Sequence, residues 1–86
     1  MPRGHGDLRD QLRRASTSIP LNVAEACGKT SSASRAQFHA IARGSAFECA
    51  AILDVLLRFG AIAAEDVEQG KSLLSRIVAM LSKMCR

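Results

Sequence analysis

Gln11-Leu12-Arg13-Arg14-Ala15-Ser16-Thr17-Ser18-Ile19-Pro20-Leu21-Asn22-Val23-Ala24-Glu25-Ala26-Cys27-Gly28 is the stretch that decides how this chain folds. Leu8, Leu12, Ala15, Ile19, Val23 and Ala26 recur at helical spacing, so one face of the segment is apolar. Pro20 interrupts the pattern. It has no N–H to give the carbonyl of Ser16, and its ring crowds that turn, at a cost of about 3 kcal/mol in a helix interior. Ser16, Thr17 and Ser18 stand beside the gap, with hydroxyls able to bond backbone carbonyls. The reading is a helix from about Asp7 to Cys27, kinked at Pro20 and stopped by Gly28 as its C′ residue.

Two more helices follow. Lys29 to Ala33 is a polar connector. Ser34 and Gln37 have the spacing of a capping box, and the second helix runs from there to about Phe59, with Gly60 as its stop. Its core stripe is Phe38, Ile41, Ala42, Ser45, Cys49, Ile52, Leu53 and Leu56. The third helix starts near Ala64. Glu65, Asp66 and Glu68 crowd its first turn and Lys83 and Arg86 its last, both favourable to the helix dipole. Val67, Gly70, Leu74, Ile77, Leu81 and Met84 form its stripe, with Leu73 and Met80 widening it. Gly70 weakens the helix by about 1 kcal/mol relative to Ala, which points to close approach of a neighbour. Short connectors set successive helices antiparallel. The expected fold class is all-α: an antiparallel up-and-down helical bundle with three helices, at about 7–27, 34–59 and 64–85, in a single domain over 1–86.

The second helix is apolar on more than one side. Phe47, Ala50, Ala51, Val55 and Leu57 lie outside its core stripe, and a helix apolar on several sides needs several neighbours. Two partner helices do not cover it, so the expectation is that another subunit does. Alanine and leucine carry the packing, because the only aromatics are Phe38, Phe47 and Phe59 in a chain of 86 residues, 48% of them hydrophobic. Chains of this size bury a modest fraction of their surface.

The same residues resemble a known family. The proteins encoded in intervening sequences of bacterial 23S ribosomal RNA, grouped with the accessory protein of diversity-generating retroelements, carry the pattern Gln-Leu-Arg-Arg-Ala-x-x-Ser-Ile-Pro-x-Asn-Ile-Ala-Glu-Gly. Gln11 to Ala15, Ser18 to Pro20, Asn22, Ala24 and Glu25 match it, while Val23 replaces Ile and Ala26 replaces Gly. Phe38-x-x-Ile41-Ala42-Arg43-Gly44-Ser45-x-x-Glu48 resembles the family's next helix, and Arg58-Phe59-Gly60-Ala61-Ile62 its turn into the last. The resemblance covers roughly residues 8 to 85 and implies a four-helix bundle. It also implies a helix before Gln11, which is expected to be missing here by truncation, and a homo-oligomer, which in relatives is a ring-like pentamer. The family's basic helices imply a positively charged channel suited to nucleic acid.

Net charge is +4, spread along the chain with no basic tail. That balance is compatible with phosphate backbones without demanding them. Arg9, Arg13, Arg14, Arg35 and Arg43 are the candidate nucleic-acid-binding residues. Adjacent Arg13 and Arg14 point about 100° apart on a helix, so a solvated outer face explains them equally well. Asn22 and Glu25 on the first helix, with Arg43, Ser45 and Glu48 on the second, form a candidate structural polar network. Within it Arg43 is expected to pair with Glu25.

Catalysis finds no support. There is no Gly-rich phosphate loop, no His-Glu-x-x-His and no nucleophile elbow. No catalytic residue, cofactor or metal site is expected: Cys27, Cys49 and Cys85 are widely spaced, and His5 and His39 do not complete a ligand set. The cysteines read as small buried hydrophobes in a reducing compartment. No run reaches the ~18 apolar residues of a membrane span, and no secretory signal stands at the N-terminus, so the expected location is cytoplasmic. The expected function is non-enzymatic: an oligomeric helical module binding RNA or DNA. The alternatives are a protein-protein adaptor for a reverse transcriptase or other nucleic-acid enzyme, and a remnant of a mobile RNA insert with no retained activity.

Overall fold

A computed structural model describes residues 5–84. It is all-α: α1 (Gly6–Cys27), α2 (Ser32–Arg58) and α3 (Ala64–Met84), with no strand among the described residues. The three helices lie side by side. α2 is central and packs against α1 on one flank and α3 on the other, whereas α1 and α3 scarcely touch. The Cα atoms span 47 × 21 × 12 Å, so the chain is a slab whose length is set by one helix. Arg9 near the start of α1 reaches the carbonyl of Ala61 beyond the end of α2. Arg43 in the first half of α2 meets Ser82 at the end of α3. Neighbouring helices therefore run antiparallel.

α1 is helical without interruption across Pro20. Ser16 Oγ and Thr17 Oγ1 both donate to the carbonyl of Arg13, at 3.0 and 2.7 Å. Asn22 Nδ2 donates to the carbonyl of Ser18 at 2.8 Å. Side chains thus supply extra donors on both sides of the residue that has none. Gly28 ends the helix as its C-cap with φ −85° and ψ −5°, a conformation open to any residue. The stop therefore does not use glycine's left-handed freedom, contrary to the sequence expectation.

α2 starts earlier than the capping box at Ser34 implies. Ser31 is its N-cap, with Ser31 Oγ accepting from the N–H of Ser34 at 3.1 Å. An N-cap hydroxyl accepts from the N–H three residues on, and Ser34 occupies the donor position of that pair. The connector shrinks to Gly28–Ser31. At the other end the geometry is a Schellman motif: Ala61 N–H donates to the carbonyl of Leu56 and Gly60 N–H to that of Leu57, both at 2.9 Å. Gly60 carries φ 71°, so here glycine is required. The tilted stacking of His5 on Phe59, centroids 5.2 Å apart, holds the start of α1 against this turn.

The core is a thin layer: Ala15 and Ala26 of α1, Ala42, Ala46, Cys49, Ile52, Leu53 and Leu56 of α2, and Val67 and Leu81 of α3. His39 joins it at 7% exposure, whereas the expected stripe member Ile41 is 45% exposed. The buried arc of α2 is turned from the expected stripe toward α3. Ala46 and His39 lie on the inward side, and Ile41 is left on the outer edge. Gly70 marks the closest approach of α3 to α2, where an added Cβ would stand 3.0 Å from Leu53 Cδ1.

Candidate functional site: an apolar groove and an arginine-bearing helix face

Because α1 and α3 stay apart, an open groove of about 610 Å³ runs along one side of α2. Leu12, Ile19 and Pro20 form one wall, Leu73, Leu74 and Ile77 the other, and Cys49 and Leu53 the floor. The surface expected to lack cover was the other one, around Phe47, Ala50, Ala51, Val55 and Leu57. The groove lies elsewhere because α1 and α3 splay apart over Cys49 and Leu53. Phe47 and Val55 are nonetheless exposed, at 58% and 39%, so α2 carries apolar surface beyond the groove as well.

The five arginines do not converge. Arg9 Nη2 donates to the Ala61 carbonyl at 3.0 Å, tying α1 to the α2–α3 turn. Arg35 Nη1 donates to the carbonyls of Lys29 and Thr30, at 3.2 and 2.9 Å, and so satisfies acceptors just beyond the end of α1. Arg43 is half-buried, and its Nη1 sits 3.4 Å from Ser82 Oγ. Arg13 and Arg14 remain. Both are exposed and line a shallow concavity of α1 with Thr17, Ser18, Leu21 and Asn22. Arg13 meets Asp10 at 3.5 Å, an exposed pair of the kind worth little in stability. Among the described residues no carboxylate pairs with Arg14. Two guanidinium groups beside hydroxyl and amide groups are chemistry suited to a phosphate.

The polar contact between α1 and α2 is also rebuilt. Arg43 does not meet Glu25. Glu25 is exposed and stands 3.7 Å from Lys29 one turn on, while Arg43 faces the opposite neighbour, α3. Ser45 Oγ instead donates to Ser18 Oγ at 2.9 Å, and Asn22 Nδ2 donates to the same oxygen at 2.9 Å. Asn22 and Ser45 thus belong to one cluster, whereas the Glu48 side chain is exposed and makes no hydrogen bond among the described residues. Ser18 is the member that sequence reasoning left out. Its signal was present, since Ser18 and Asn22 lie one turn apart on the face that must meet α2. Lys29, at the start of the expected polar connector, stands over the Phe38 ring at 5.1 Å, a cation–π contact that fixes the connector.

Burial raises the Cys49 thiol above its ordinary value, and the negative charge of Glu48 adds to the effect. A buried, protonated thiol is inert, which fits a packing role on the groove floor. Cys27 is exposed and so departs from the expectation of three buried cysteines, and Cys85 lies outside the described residues. No group of three or more His, Cys, Asp or Glu that could hold a metal ion occurs among the described residues. Nor is any described helix long and apolar enough to cross a membrane.

The model of the family described as 23S rRNA-intervening sequence protein matches residues 3–83, a span that takes in nearly all of the three helices. Comparison with curated proteins and with solved structures finds no match.

Proposed function

The chain belongs to the 23S rRNA-intervening sequence protein family, and from that membership we propose a non-enzymatic helical module that assembles with copies of itself and binds RNA or DNA electrostatically. The nucleic-acid half rests on one observation. Arg13 and Arg14 are exposed on a single helix face among hydroxyl and amide groups, while the other three candidates, Arg9, Arg35 and Arg43, are engaged with protein acceptors. Binding through two guanidinium groups is a backbone-phosphate contact, so it is weakly sequence-specific and falls steeply with salt. With three phenylalanines and no other aromatic side chain but histidine, base stacking contributes little.

Self-assembly is supported by the groove. A bundle of four helices would close it with a fourth, and in this chain a second subunit supplies the cover. A gel-shift series across salt tests the binding: retardation at low salt, lost as salt rises, is expected. Absence of retardation at low salt rejects it.

The adaptor reading keeps one observation of its own. Phe47, 58% exposed, borders an apolar notch lined by Ala46, Ala50, Leu74 and Val78, a surface suited to a protein partner. Co-purification of a protein partner free of nucleic acid favours this reading over direct binding.

A further inference from the structure

The concavity on α1 that holds Arg13 and Arg14 measures about 370 Å³ and differs in chemistry between its two ends. Arg14, Ser18 and Asn22 stand four residues apart and form one row along the helix. Asn22 lies two turns beyond Arg14, about 12 Å at 1.5 Å per residue. The guanidinium groups at one end can only donate. Asn22 at the other end has its donors in use. Its Nδ2 donates to the carbonyl of Ser18 at 2.8 Å and to Ser18 Oγ at 2.9 Å, and an amide nitrogen carries two hydrogens. A carbonyl only accepts, so the nitrogen must face Ser18 and the amide has one orientation. Ser45 of α2 donates to the same Ser18 Oγ at 2.9 Å, so helix packing holds the arrangement in place. Asn22 Oδ1 is left without a partner among the described residues, and it is not enclosed by protein. Thr17 behaves alike. Its hydroxyl hydrogen goes to the carbonyl of Arg13 at 2.7 Å, so it has only lone pairs to offer a ligand.

A ligand that fills this surface needs acceptors for the arginines and a hydrogen to give Asn22 Oδ1. The sugar–phosphate backbone of DNA offers acceptors alone. That of RNA adds one donor per nucleotide, the 2′-hydroxyl, close to the phosphate. Resting on the phosphate contact proposed above, we propose that the concavity selects RNA over DNA, with phosphate held at Arg13 and Arg14 and a neighbouring 2′-hydroxyl donating to Asn22 Oδ1. Thr17 Oγ1 is a second acceptor between the two ends. Leu21, 60% exposed on the same face, gives the apolar side of the ribose a surface to rest on. DNA in the same place sets a C2′ methylene against Oδ1, and an acceptor stripped of water without a new donor weakens binding. Every ribonucleotide carries the same hydroxyl, so selection for RNA needs no reading of sequence.

Fluorescence anisotropy of the full chain at low salt tests this, with one unstructured single-stranded sequence made as RNA, as DNA and as 2′-O-methyl RNA. RNA is expected to bind about five- to tenfold more tightly than DNA, the scale of one hydrogen bond. The 2′-O-methyl strand keeps the ribose oxygen but has no hydrogen to donate, and it is expected to fall to the DNA level. Asn22→Ala, with helical content checked by circular dichroism, is expected to bring RNA down to that level too. Equal binding of RNA and DNA overturns the selection and leaves phosphate binding standing. A 2′-O-methyl strand that binds as RNA does, or a folded Asn22→Ala chain that keeps the preference, overturns the role of Asn22 Oδ1. If Asn22→Ala loses its helices, the three strands on the wild type decide alone. No binding to any strand overturns the phosphate contact and the selection together.

Discussion

Gly70 of α3 lies so close to Leu53 of α2 that an added Cβ would stand 3.0 Å from Leu53 Cδ1. The cost of glycine in a helix, about 1 kcal/mol relative to Ala, is offset by this close contact. The obstructing atom is the end of a flexible side chain, and Leu53 faces the open groove. Gly70→Ala therefore leaves stability within about 1 kcal/mol of the wild type, since the gain in helix propensity meets a small displacement of Leu53. Gly70→Leu forces the helices apart and costs about 1–3 kcal/mol. Urea denaturation of the two variants checks both values.

The α1–α2 contact depends on a hydroxyl that accepts twice. Ser18 Oγ takes hydrogen bonds from Ser45 Oγ and Asn22 Nδ2, both at 2.9 Å. Ser18→Ala strands two half-buried donors at once and is expected to cost about 1–3 kcal/mol. Arg43→Met removes a single long contact, at 3.4 Å, and is expected to cost no more than about 1 kcal/mol. Thermal melts that rank Arg43→Met as the more damaging change would restore the Arg43–Glu25 pair and reject the cluster.

The arginines divide into two groups with opposite signatures. Arg13→Ala combined with Arg14→Ala should reduce the slope of log affinity against log salt by about 2, near one unit for each lost phosphate contact, with the fold unchanged. Arg35→Ala should leave that slope in place and instead loosen the α1–α2 connector, whose carbonyls at Lys29 and Thr30 it holds. Salt titrations of the three proteins on one duplex separate the groups.

The two described cysteines should differ in reactivity. Cys27 is exposed and Cys49 is 2% exposed with a raised pKa, so iodoacetamide at neutral pH is expected to label Cys27 well before Cys49. The linkage has a definite sign. The folded state holds the Cys49 proton more tightly than the unfolded state does, so that contribution is intact below about pH 9.0, the ordinary value, and falls away as pH rises through the folded value. Cys49→Ala should flatten this alkaline loss of stability.

What the sequence made legible was local. Helical spacing located three helices, Gly60 marked a stop that needs φ 71°, and Gly70 announced a close approach before its partner was known. The α2 start was misplaced by three residues because Ser31 and Ser34 both suit a cap, and the helix takes the earlier one. The long-range partners were not legible. Arg9 on Ala61, Arg35 on Thr30 and Arg43 on Ser82 depend on which flank of α2 each neighbour occupies. A one-residue change in the facing angle of α2 moves Arg43 from α1 to α3. The same rotation exposes Ile41 and buries His39, while the groove over Cys49 and Leu53 comes from the separation of α1 and α3.

The central claim is that a slab of three helices with an uncovered apolar groove is completed by copies of itself. Its mass in solution at micromolar concentration, read by light scattering, tests this most directly. A species at a multiple of the 9.2 kDa chain mass is the expected result. A monodisperse, fully helical species at the mass of one chain would contradict it.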